Sequence, residues 1–138
     1  MKRILSLILA VALLCACTIT LTSCGTSLEG TYKGSFFTDE SDVLTVTFGA
    51  NNTVTFSLSV ANGERTDKAT GTYTLTAEAD HGHEVISFTL TEENIGILSF
   101  LQNTQYVYSL EKVKGAKQLT LSSHGSSFSQ NMVLTEVK

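Results

Sequence analysis

The chain has 138 residues and carries 9 lysines and arginines against 13 aspartates and glutamates, a formal charge of −4. That length suits one domain with one core, and the acidic balance argues against a nucleic-acid surface, which needs a basic face. There is no proline and no tryptophan. Apolar residues alternate with threonine and serine, which predicts antiparallel strands with one dry face and one wet face.

The chain opens on Met1-Lys2-Arg3, and positions 4–14 are apolar except for Ser6. A basic start followed by an apolar run predicts a cleaved export signal. The run is short of the ~20 apolar residues a spanning helix needs. Leu21-Thr22-Ser23-Cys24 then resembles the lipobox of bacterial lipoproteins, an aliphatic residue and two small residues before a cysteine. The resemblance implies a thioether-linked lipid on the Cys24 sulfur, cleavage before it and acylation of the new amino terminus. Leu14-Cys15-Ala16-Cys17 is a rival site, with cysteine at one of its small positions. With cleavage before Cys24, residues 1–23 are the signal and 24–27 a short tether, and 28–138 form the domain. The only other cysteines, Cys15 and Cys17, leave with the signal, so no disulfide is available and stability rests on a core. The mature balance becomes 7 basic against 13 acidic residues, or −6. No basic patch for anionic lipid is apparent along the chain.

The predicted elements follow in order. A first strand covers 30–37, with Tyr32 and Phe36 on one face. After a polar turn at 38–42, a second strand covers 43–48, with Leu44, Val46 and Phe48 inward. Residues 49–52 form a loop. The third strand, 53–60, alternates Val54, Phe56, Leu58 and Val60 with threonine and serine. Asn62-Gly63 predicts a two-residue hairpin, because both residues tolerate positive φ. A fourth strand covers 66–77 with Tyr73 and Leu75 inward. Asp80-His81-Gly82-His83 turns the chain into a fifth strand at 84–91, with Ile86, Phe88 and Leu90 inward. Thr91 followed by Glu92-Glu93 reads as the start of a short helix near 92–102, with Ile95, Leu98 and Leu101 on one face. Strands at 104–113, 118–123 and 131–137 complete the set.

Eight short strands joined by tight turns predict an all-β fold, an eight-stranded antiparallel up-and-down barrel, since closure removes exposed edges. A sandwich is the alternative. Residues 28–137 resemble the lipocalin-like domains of small bacterial lipoproteins. The resemblance is carried by Leu28-Glu29-Gly30-Thr31-Tyr32 at the first strand and by Tyr106-Val107-Tyr108-Ser109-Leu110 with Leu119-Thr120-Leu121 near the end. Tyr32 stands where true lipocalins place a tryptophan, and their later arginine has no counterpart.

The candidate sites are modest. His81 and His83 beside Asp80 and Glu84 would suit zinc only if the turn fixed their directions. Asp39, Glu40 and Asp42 offer oxygen ligands without an EF-hand spacing. Lys112, Lys114 and Lys117 make a small basic cluster at a hairpin. No Gly-x-Ser-x-Gly motif is present and no cysteine nucleophile survives export, so the expectation is a protein that is not an enzyme, with no metal and no cofactor. An eight-stranded barrel is wide enough to be filled by side chains or to hold one small ligand. The sequence therefore leads to a lipid-anchored protein on the extracytoplasmic face of the cell membrane or envelope. Its expected ligand is small and apolar, in or at the barrel mouth, with Tyr32, Phe56, Tyr73 and Tyr106 as lining residues. The alternative is a filled barrel acting as a protein-interaction, scaffold or inhibitor module.

Overall fold

A computed structural model describes residues 27–36, 39–77, 83–91, 96–124 and 131–138. Eight strands follow one another: β1 (Gly30–Phe36), β2 (Asp39–Phe48), β3 (Thr53–Val60), β4 (Arg65–Ala77), β5 (Glu84–Thr91), β6 (Gln105–Val113), β7 (Ala116–Ser123) and β8 (Asn131–Glu136). Each pairs antiparallel with the next, and β8 returns to β1, so the sheet closes as the alternation predicts. Closure is a short seam. It rests on the register pairs Tyr32↔Glu136 and Lys33↔Thr135 and on the Val137 amide donating to the Thr31 carbonyl at 2.8 Å.

Alternation places one side chain of every two inside. Tyr32, Leu44, Val46, Phe56, Leu58, Ile86, Tyr106, Leu119, Leu121, Met132 and Leu134 are wholly removed from solvent. Two inward positions on β4 are small, Ala69 and Gly71, opposite Phe56 and Val54. A Cβ on Gly71 would stand 2.0 Å from the Thr89 carbonyl oxygen, so the close approach of β5 to β4 requires glycine there. Gly34 does the same on β1, where a Cβ would lie 2.2 Å from the Val133 carbonyl oxygen of β8. Mid-strand glycines of this kind let a sheet coil enough to close.

The barrel has two unlike ends. One carries Ser27, Leu28 and Glu29, the 49–52 loop, the Lys114-Gly115 turn and the end of β8. The described chain begins here at Ser27, after the stretch expected to be a tether, so this is called the tether end. The other, the far end, carries the turn after β3 and the connection from β5 to β6. That connection includes a 3-10 turn (Gly96–Leu98) and the four-residue helix α1 (Ser99–Gln102). Leu98 and Leu101 are buried and stop the far end with apolar side chains.

The structure alters three local expectations. Asn62-Gly63 does not make a two-residue hairpin: Val60 pairs with Arg65, leaving four loop residues, with Ala61, Asn62 and Gly63 all at positive φ. The Asp42 carboxylate explains the longer loop, since it accepts the Ala61 amide at 2.9 Å. For the same reason residues 39–42 belong to β2 rather than to a turn. The β1–β2 register jumps from Ser35↔Val43 to Phe36↔Asp39, which is a bulge. Thr91 does not cap a helix. It is the last residue of β5, and its hydroxyl donates to the Thr70 carbonyl at 2.8 Å. The two-residue turn falls instead at Lys114-Gly115, with φ of 51° and 85°, between paired Val113 and Ala116.

Candidate functional site

The four expected lining residues fall into two aromatic groups inside the barrel. Phe48 joins Tyr32 and Tyr73, with ring centroids 5.8 Å and 5.2 Å away and both contacts edge-on. Phe88 joins Phe56 and Tyr106 at 5.0 Å and 6.1 Å. Such edge-to-face pairs add ~0.5–1.5 kcal/mol each beyond the area they bury. Tyr32, Phe56 and Tyr106 have no accessible surface, so no water-sized space touches them. Around these three residues the barrel is filled.

Two phenols show what that filling costs. The Tyr32 hydroxyl is buried and has no hydrogen-bond partner among the described residues. Burial, and then the charge of Glu136, hold its proton on more tightly than usual. Burial pushes the Tyr106 phenol up to about 12, with the Thr104 hydroxyl pulling slightly the other way.

Tyr73 differs from the other three. It lies at the tether end and lines a cleft of about 280 Å³ with Leu28, Glu29, Asn51, Leu75, Glu84 and Tyr108, among others. Leu28 is buried and closes the barrel beneath the cleft, while Leu75 stands half-exposed on its rim. The Tyr108 hydroxyl donates to the Glu84 carboxylate. Its phenol is raised by burial first and then by that carboxylate, and Tyr73 is raised by burial and by Glu29. Asn51 and Asn52 reach the cleft because both sit in the left-handed region, at φ of 56° and 58°, which asparagine tolerates. The cleft is thus a shallow place with two carboxylates, two phenols and two carboxamides around an apolar floor.

A second concavity of about 600 Å³ opens on the outer wall where β8 meets β1, lined by Lys33, Lys114, Thr135, Glu136, Val137 and Lys138 among others. Lys117 holds Glu136 through an ion pair at 3.5 Å and a backbone N–H donated at 3.3 Å. The hairpin lysines read from the sequence thereby gain Lys33 and Lys138 as neighbours. Sequence spacing gives no sign of this, because the residues lie up to 105 positions apart and only barrel closure joins them.

The remaining candidates separate. Asp80, His81 and Gly82 lie outside the described residues, as does Cys24, while His83 is exposed. Among the described residues no three His, Cys, Asp or Glu side chains gather as metal ligands. Asp42 is engaged by Ala61 and by the Ser41 hydroxyl at 3.4 Å. Asp67 is a residue that sequence reasoning missed. It points inward from β4 opposite Leu58, pairs with Arg65 at 3.1 Å and accepts the Ile97 amide at 3.4 Å. Its signal was a single acid in phase with the inward positions of β4. No family profile matches the chain, and comparisons with curated proteins and with solved structures find no match either.

Proposed function

We propose that the protein is a lipid-anchored bacterial lipoprotein of the cell envelope, not an enzyme, whose lipocalin-like barrel is a filled scaffold that acts through its surface on a protein partner. The observation that carries this reading is the interior. A ligand inside would have to displace Phe56 or Tyr106 from a space with no room for water beside them, and removing a buried aromatic side chain from a core costs ~3–5 kcal/mol. The address rests on Leu21-Thr22-Ser23-Cys24 after an apolar run. Two or more acyl chains anchor stably where one is marginal.

A second reading is favoured by the tether-end cleft: a small ligand with an apolar part held at the mouth, against Tyr73, Leu28 and Leu75. Native mass spectrometry of residues 27–138 separates the two. A bare mass supports the filled scaffold. A stoichiometric adduct that is lost in Tyr73→Ala supports the mouth ligand. Anchoring is tested in cells, where Cys24→Ala should release the protein from membranes. Retention of that variant, with release by Cys17→Ala, would move the lipid to the rival site.

A further inference from the structure

We propose that the tether end docks against an anionic bilayer through one corner of the barrel, built from the Lys114-Gly115 turn, the end of β8 and Lys33. The inference rests on the lipid-anchor reading and adds an orientation to it. Three observations carry it.

The first is where the chain leaves. Lys117 donates from Nζ to the Ser27 carbonyl at 3.4 Å, so the described chain begins beside this corner. Three residues span at most ~10 Å. An anchor at Cys24 therefore holds the corner close to the headgroups before any other force acts.

The second is charge. The corner gathers Lys33, Lys112, Lys114, Lys117 and Lys138 against Glu111 and Glu136, while Glu29 and Glu84 line the cleft beside it. Lys117 already engages Glu136, which leaves Lys33, Lys114 and Lys138 to face the groove they line. The far end carries Asp42, Glu64 and Asp67. An acidic domain thus presents a local positive face beside the point where the described chain begins, and Asp42, Glu64 and Asp67 at the far end are turned from the negative surface.

The third is apolar. Val113 and Val137 are exposed at 38% and 50%, on the two segments that carry the lysines. Aliphatic side chains flanked by lysines suit the boundary between headgroups and acyl chains. Each lysine brought to an anionic surface strengthens docking by about fivefold, enough for a few of them to fix the orientation of a body already tethered.

The test uses the absence of tryptophan from the chain. Residues 24–138 contain all eight strands and the β1–β8 closure. They are coupled through the Cys24 thiol to a maleimide lipid in vesicles containing brominated acyl chains, which makes the result independent of whether cells acylate Cys24. A reporter is placed in the corner by Val113→Trp, or about 25 Å away at the far end by Glu64→Trp, the length of an eight-residue strand. Phosphatidylglycerol-rich vesicles should quench the corner tryptophan several-fold more than the far one. In phosphatidylcholine vesicles, or in salt high enough to shorten the screening length to about 3 Å, that difference should collapse. Lys114→Glu with Lys138→Glu should collapse it too, with circular dichroism unchanged. Equal quenching at the two positions overturns the proposal, as does corner quenching that is the same on both lipids. Failure of the anchor reading shows up separately, as membrane retention of Cys24→Ala in cells.

Discussion

Tyr32→Phe tests whether the barrel is a scaffold or a container. The phenol of Tyr32 is fully buried, lies on the β1 seam beside Phe48 and has no hydrogen-bond partner among the described residues. A buried hydroxyl without a partner costs ~1–3 kcal/mol relative to its hydrated state. The substitution removes that cost and keeps the ring, its edge contact with Phe48 at 5.8 Å and the register pair with Val46. Against the gain stands the loss of one oxygen's dispersion contacts, at ~0.1–0.2 kcal/mol for each atom pair. The net expectation is a domain more stable by about 1 kcal/mol, with the midpoint of thermal unfolding higher by about 4 °C for a domain of this size. Urea unfolding of residues 27–138 reads it directly: a higher midpoint with an unchanged slope. A loss of 1 kcal/mol or more would refute the reasoning, because it would mean that the hydroxyl is satisfied inside the barrel. Tyr32 would then be a polar handle in a site, as the container reading expects.

Three further outcomes follow from the same coordinates. Tyr106 keeps its proton to about pH 12 when folded and to about pH 10 when unfolded. The unfolded state therefore binds fewer protons between those values, so this group's contribution is flat below pH 10 and falls as pH rises above it, alongside the raised Tyr32, Tyr73 and Tyr108. Tyr106→Phe should flatten that alkaline fall in pH-dependent urea titrations, and an unchanged slope would assign it elsewhere. Gly71→Ala places a methyl against the Thr89 carbonyl; overpacking of this kind costs ~1–3 kcal/mol, and a wild-type denaturation midpoint would show that β4 and β5 part freely. Asp67→Ala removes the acceptor of the Ile97 amide and the partner of Arg65. The ion pair involves an arginine more than half exposed and contributes little. The stranded amide carries most of an expected loss of ~1–3 kcal/mol, and hydrogen exchange at Ile97 should speed up before that of the β-strand core.

Strand positions were legible because they obey one local rule. Thr53–Val60 alternates without a break, and the structure returns those bounds unchanged. Glu84–Thr91 does the same. The misreadings arose where a distant partner decides. Asn62-Gly63 has the local preference for a tight turn, yet the Asp42 carboxylate, 19 residues upstream, holds a wider one. Thr91 has the local signature of a cap, yet Thr70 across the sheet takes its hydroxyl, and the helix begins at Ser99. The candidate site divides in the same way. Alternation identified Tyr32, Phe56, Tyr73 and Tyr106 as inward, and all four are buried. It could not tell Tyr73 at the open end from Phe56 in the packed middle, because period two gives the face of a strand and not the depth along the barrel. The lysine corner was invisible for a related reason. Lys33 and Lys138 meet only through the β1–β8 closure, the longest sequence separation in the fold.

The two ends of the barrel are closed by different means, and this bears on where the protein acts. At the far end a covalently continuous segment folds inward, with Leu98 and Leu101 in the core and Asp67 holding the Ile97 amide. Opening that end requires the β5–β6 connection to leave as a unit, with two leucines going to water at ~1.5–3 kcal/mol each. At the tether end the stopper is the buried Leu28, one residue after the described chain begins. A pull on the chain before Ser27 would act first on Leu28 and on the Lys117 contact to Ser27, and only then on β1, whose seam to β8 has two register pairs. The two-pair seam, the Tyr73 cleft and the basic corner therefore coincide at the end where the described chain begins. A filled barrel with a firmly stopped far end leaves this end as the part of the molecule that opens first.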